Sequence, residues 1–198
     1  MRVCSKLLFL GVAVWLVPGC SVLTPKKDPT RFYELTALTE VPATGAPPAE
    51  STVVLTVEVA GYLQNNSLAQ RIAPNQLAYF PFDQWAQPFG EGVDQTVRND
   101  LSLLTRGSVL RANQSYVTRD ATRLDVRVWR FDVMPQSQVQ VTASWQIRTT
   151  QSGAVVRQGR FSQNRPYSAD PTSLQPAVAA MNQLLHELSR AIAADLPK

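Results

Sequence analysis

The sequence predicts an α+β domain: an antiparallel or mixed sheet with a C-terminal three-stranded meander and two helices packed on one face. Three observations predict it. Val139, Val141, Ala143, Trp145 and Ile147 alternate strictly with Gln140, Thr142, Ser144, Gln146 and Arg148, the period of a half-buried strand. Two other stretches, 85–104 and 174–192, repeat their apolar residues every three or four positions, the period of a helix. The order is strands, helix, meander, helix, which separates the helices from the sheet. At 198 residues and 44% hydrophobic content, the chain can bury one core and is too short for two comfortable ones.

Taken in order, Phe32-Tyr33-Glu34-Leu35 reads as a short strand. Val53, Leu55, Val57 and Val59 alternate with Val54, Thr56 and Glu58, which suits a largely buried strand. Shorter strands are expected near Arg71 to Tyr79 and around Val109 to Arg111. The first helical stripe is Trp85, Phe89, Val93, Val97, Leu101 and Leu104, with Asp83 as its N-cap. Pro88 and the Gly90/Gly92 pair weaken its first turns. Leu124, Val126 and Val128 take one strand phase and Trp129, Phe131 and Val133 the other, a slip that a β-bulge produces. Turns at Met134–Gln138 and Gln151–Gly153 make 123–163 a meander, closed by Ala154–Gln163. The last helix carries Leu174, Val178, Met181, Leu185, Leu188 and Ile192. Ser173 caps it, which leaves Pro176 in the first turn, where a missing N–H is harmless.

The N-terminus reads as a leader. Arg2 and Lys6 precede an uninterrupted apolar run from Leu7 to Val17, about 16 Å of helix and half a bilayer core. That length suits a signal peptide and not a membrane span. Val17-Pro18-Gly19-Cys20 then resembles a bacterial lipobox, with cleavage between Gly19 and Cys20 and Pro18 as the one departure. The expectation is a covalent diacylglycerol on the Cys20 sulfur and an acyl chain on its nitrogen, and no other cofactor. Two or three acyl chains anchor a protein firmly. Ser21, where an Asp would mark retention in the inner membrane, favours the outer one. The expected organisation is a signal peptide over 1–19, a lipidated tether over 20–30 and a single domain over 31–198. From Cys20 to Phe32 the chain reaches at most about 40 Å. A second irregular stretch, Ala37 to Ser51, holds Pro42, Gly45, Pro47 and Pro48.

Few residues suit chemistry. His186 is the only imidazole and is expected on a helix surface, without a metal-binding or nucleophilic partner. Gly90-Glu91-Gly92 lacks the third glycine of a nucleotide loop, since Gln95 stands there. Asp125 and Asp132 are expected on solvated strand faces. No catalytic or metal-ligating residue is assigned. Without the leader the net charge is about +2, too small to argue for nucleic acid. Charge is nonetheless uneven: residues 98–165 hold 11 Arg against 4 Asp, while residues 20–97 are net acidic. The outer face of the meander, with Arg127, Gln140, Thr142, Ser144, Gln146 and Arg148, is therefore a candidate interaction surface. An ordinary solvated sheet face fits the same pattern.

Arg31-Phe32-Tyr33-Glu34-Leu35, Tyr62-Leu63, Arg71-Ile72 and Phe82-Asp83-Gln84-Trp85-Ala86-Gln87-Pro88-Phe89 together resemble the ABC-type transport auxiliary lipoproteins (PqiC/YmbA-like). The most specific piece is Trp85-Ala86-x-Pro88, about twenty residues after Tyr62-Leu63. One departure is Gln64-Asn65-Asn66, where the family usually has an acidic and a basic residue, so a salt bridge there is not expected. The resemblance implies a non-enzymatic outer-membrane lipoprotein, on the periplasmic face of a Gram-negative bacterium. It implies work with an MCE-domain tunnel protein that carries lipids between membranes, and a homo-oligomeric state. A docking module and a lipid-binding carrier that shelters an acyl chain between sheet and helices are the two readings to separate. Trp85 and Phe89 are expected to anchor the first helix to the sheet.

Overall fold

The computed structural model describes residues 27–40, 52–112 and 121–197. Gly19 and Cys20, with the rest of the leader and most of the tether, lie outside the described residues, as do 41–51. Within the described residues one mixed sheet holds eight strands: β1 (Arg31–Tyr33), β2 (Thr52–Val59), β3 (Ser67–Ala73), β4 (Gln76–Trp85), β5 (Ser108–Arg111), β6 (Thr122–Met134), β7 (Gln138–Thr149) and β8 (Val155–Pro166). Two helices, α1 (Phe89–Thr105) and α2 (Gln175–Asp195), complete the expected α+β architecture. A single 3-10 turn, Gly61–Gln64, separates β2 from β3.

β6 organises the sheet. One edge pairs antiparallel with β7 from Thr122↔Thr149 to Met134↔Gln138, and β7 pairs antiparallel with β8. The other edge pairs parallel with β2 as far as Val59↔Val128, then with β3 at Gln70↔Val133. The handover falls at the expected phase slip. A bulge between Val128 and Arg130 inserts Trp129, so Val128 and Phe131 both face the core while Trp129 and Arg130 both face out. Ala60 N–H donates to the Val128 carbonyl at 2.9 Å where β2 stops. Beyond β3 come β4, paired antiparallel, and β1, paired parallel to β4.

Both helices cover one face. α1 packs on β2 and β5, α2 on β7 and β8, and the helices touch each other. The inward row of β7 meets Met181, Leu184, Leu185 and Leu188 of α2, all fully buried. Full burial of such side chains contributes roughly 1.5–3 kcal/mol each. Trp145 lies flat over Gly159 of β8: a Cβ there would sit 2.1 Å from the indole Cζ2. Its Nε1 donates to Asp195 Oδ2 at 3.0 Å, which satisfies a buried N–H and ties down the end of α2.

Three local expectations are corrected. Asp83 and Trp85 belong to β4, and α1 starts only at Phe89. Proline disfavours helical geometry in the residue before it, and the Pro88 carbonyl accepts the first helical bonds, from Glu91 at 2.9 Å and Gly92 at 3.1 Å. The last inward residue of the strand and the first of the helix happen to fall four apart. Trp85 and Phe89 nevertheless touch at 5.1 Å between ring centroids, and Phe89 meets Phe131 at the same distance, so the expected anchor forms. At α2 the N-cap is Leu174, and Ser173 Oγ instead accepts from Gln175 N–H. The strands expected near Arg71 to Tyr79 extend to a full hairpin over 67–85.

Candidate functional site

The face of the sheet opposite the helices carries the candidate surface. Pleating sends every second residue of β7 outward, and ladder register lines these up across three strands. Arg127, Ser144 and Arg160 form one row; Asp125, Gln146 and Gln158 the next; Arg130, Thr142 and Ser162 another; Gln140 and Asn164 the last, whose third member, Asp132, is covered by Tyr62 and Arg71. Gln140, Thr142, Ser144, Gln146 and Arg148 are half-buried, because their neighbours interlock over them. Arg148 reaches Gln146 Oε1 and stands 3.5 Å from Asp125 Oδ2. Thr142 and Ser162 hydroxyls bond at 3.1 Å. Arg127 pairs with Glu58 of β2 and its guanidinium sits 4.9 Å from the Trp129 ring centroid. Trp129 Nε1 donates to Ser144 Oγ at 3.1 Å, yet the residue stays 45% exposed. Thr56, Glu58, Arg127, Trp129, Ser144 and Gln146 line a groove of about 470 Å³.

All six residues expected on the surface therefore share one face. Sequence periodicity missed Trp129, Glu58 and Arg160. Against expectation, Trp129 does not share the phase of Phe131 and Val133. It follows Arg127 outward by plain alternation, and the extra residue of the bulge turns Arg130 out as well before Phe131 returns to the core. Glu58 and Arg160 come from flanking strands whose register no local pattern reveals.

Two polar groups contradict the sequence expectation. Asp132 is fully buried, not solvated. It accepts from Tyr62 OH at 2.5 Å and from Arg71 Nε at 2.8 Å, and the Arg71 guanidinium also lies 5.8 Å from the Tyr62 ring centroid. Burial and the nearby Asp132 carboxylate hold the Tyr62 hydroxyl well above the usual tyrosine range. Tyr62 thus finds its carboxylate on β6, seventy residues on, and not in the residues after Leu63. His186 is not a surface histidine either: its Nδ1 lies 2.8 Å from Oδ2 of the fully buried Asp100 on α1. Asp100 Oδ1 accepts from Leu38 N–H at 2.7 Å, so one carboxylate joins both helices to the segment after β1. Among the described residues no three His, Cys, Asp or Glu side chains gather as a metal site.

Arg31, Tyr33 and Asp83 form the third polar group. Arg31 donates to both Asp83 oxygens at 2.8 Å and to the Thr172 carbonyl. Tyr33 OH donates to Asp83 at 2.8 Å and accepts from Leu174 N–H, which fixes the start of α2.

These motifs, now placed in one sheet, coincide with a family model for the ABC-type transport auxiliary lipoprotein component, which matches residues 33–193. The chain belongs to this family. It is a family of transport auxiliary lipoproteins. An uncharacterized protein of solved structure matches with a TM-score of 0.69 at 19% identity, covering 85% of this chain and 99% of that one. A protein from Xanthomonas campestris matches with a TM-score of 0.67 at 20% identity, covering 83% and 93%. At these identities the likeness is one of fold. No curated protein matches the chain.

Proposed function

We propose that this lipoprotein is held at the outer membrane by acylated Cys20 and docks an MCE-type lipid-transport tunnel through the outer face of β6–β8. The observation that carries the reading is the face itself. It is a broad row of uncharged polar groups with arginines and an exposed indole, on the side that the helices leave open. Uncharged polar groups lose little on desolvation, and Trp and Arg are the residue types that most often dominate binding. The space between sheet and helices, where a carrier would shelter an acyl chain, is filled by Leu101, Leu124, Phe131, Ile147, Met181 and Ile192, each under 2% exposed. That filling speaks for docking over carriage. Among the described residues β8 uses one edge only, which leaves a 12-residue ladder for a second copy in the proposed homo-oligomer.

Photo-crosslinking residues placed at Ser144 and Gln146 in cells test this reading. The expected captured partner is a protein with MCE domains. Crosslinks to phospholipid alone, or to nothing, would sink it.

A further inference from the structure

We propose that Phe32 and Phe82 form an apolar foot that seats the domain on the bilayer holding its own anchor, an inference that rests on lipidation of Cys20. They are the two most exposed aromatic side chains among the described residues, at 66% and 49%. Phe32 stands opposite Gln84 and Phe82 lies two residues before it, so both exposed rings belong to the β1 edge of the sheet. Phe82 lies in an irregular part of the β3–β4 ladder. Ser67 pairs with Gln84 and Ala69 with Tyr79, so Leu68 alone faces Phe80–Asp83, and the ladder is bulged there. Pro81 lies in that bulge, where no residue of β3 is paired with it.

The tether identifies the occupant. Phe32 is the second residue of β1, directly after the stretch that joins Cys20 to the domain, and the reach from Cys20 is at most about 40 Å. The tether enters the domain at this edge, so β1 is the part of the sheet joined to Cys20 by the shortest length of chain. The path β1-β4-β3-β6-β7-β8 puts the free edge of β8 about 24 Å away, at five strand spacings. Lys26 and Lys27 in the tether suit anionic headgroups. The acids beside the foot are occupied or few: Asp28 accepts two bonds from Thr30, Asp83 is held by Arg31, and Glu34 is exposed. Aromatic rings entering the interfacial layer would add a second attachment to the acyl chains.

The test uses the full-length lipoprotein reconstituted into vesicles of phosphatidylethanolamine and phosphatidylglycerol. The mature chain has no cysteine besides Cys20, so Phe32→Cys, Phe82→Cys and Val156→Cys can each be labelled with an environment-sensitive fluorophore. With shallow spin-labelled phospholipid in the vesicles, labels at 32 and 82 should shift to the blue and lose emission, while the label at 156 keeps it. If the acyl mass is present on the N-terminal peptide and the label at 82 is as unquenched as that at 156, the foot is overturned and the anchor stands. An N-terminal peptide without acyl mass overturns both. A label at 82 that is shielded in lipid-free oligomer, and indifferent to spin-labelled lipid, assigns the rings to a second copy and also overturns the foot.

Discussion

The two ends of the sheet are built by different means. In the meander, β6 and β7 pair continuously over a dozen residues with one bulge, and the face of each side chain follows from its place in the alternation. At the tethered end, β1 has three residues, the β3–β4 ladder shifts register twice, and the strands are short of backbone bonds. There the positions are set by polar side chains: Arg31 and Tyr33 on Asp83, Tyr62 and Arg71 on Asp132. A long ladder specifies itself. A short, bulged one needs directional bonds between particular groups, and a buried ion pair supplies direction even where its net contribution to stability is small.

The largest expected effect breaks the second arrangement. Asp132→Ala leaves Arg71 and Tyr62 without their buried acceptor and should cost about 3–5 kcal/mol in urea unfolding. A loss below about 1 kcal/mol would show that this end is held by apolar contact after all. Tyr62→Phe removes one bond to that carboxylate and should cost roughly 1.5–3 kcal/mol at neutral pH. Because the folded state raises the Tyr62 pKa, its stabilisation is complete below about 10 and falls as pH rises beyond that value. Wild type and Tyr62→Phe should therefore converge in stability on the alkaline side, and parallel curves would count against the assignment.

At the other end, Gly159→Ala drives a methyl group into the Trp145 ring and should cost about 1–3 kcal/mol. An unchanged midpoint would mean that the ladder yields more readily than its regularity suggests. The smallest expected stability change comes from Arg127→Gln with Arg148→Gln, since exposed ion pairs contribute about 0–1 kcal/mol each. Neutral replacements are cleaner than reversals, because Glu58 and Asp125 would otherwise face new carboxylates. Association with the partner should weaken most at low salt, where screening is least. A binding curve indifferent to both substitutions and to salt returns these arginines to plain solvation.

The same contrast explains what could be read from the residues alone. The meander was legible because its information is local: Val139 to Arg148 states both the strand and its faces, and the slip at Val128–Trp129 states the bulge. The polar row of the candidate site followed directly. Asp132 and His186 were misread because a carboxylate in a strand and an imidazole on a helix look solvated until their partners are known. Those partners, Tyr62 and Arg71 for one and Asp100 for the other, lie 61 to 86 residues away in sequence. Trp85 was misassigned for the opposite reason. Its four-residue spacing to Phe89 imitates a helix across a strand end and a proline.

The fork of Arg31 has a mechanical consequence. If the proposed anchor and partner both held the domain, tension between them would enter the fold at the first residue of β1. A three-residue strand alone would peel from its neighbour under a small load. Arg31 grips Asp83 on β4 with two bonds and the Thr172 carbonyl ahead of α2 with a third. Force arriving through the tether is thereby divided at once between the sheet and the helical layer. The point of entry would behave as a rivet, so a pull on the chain ahead of Arg31 would move the domain as a whole before it unravelled the edge.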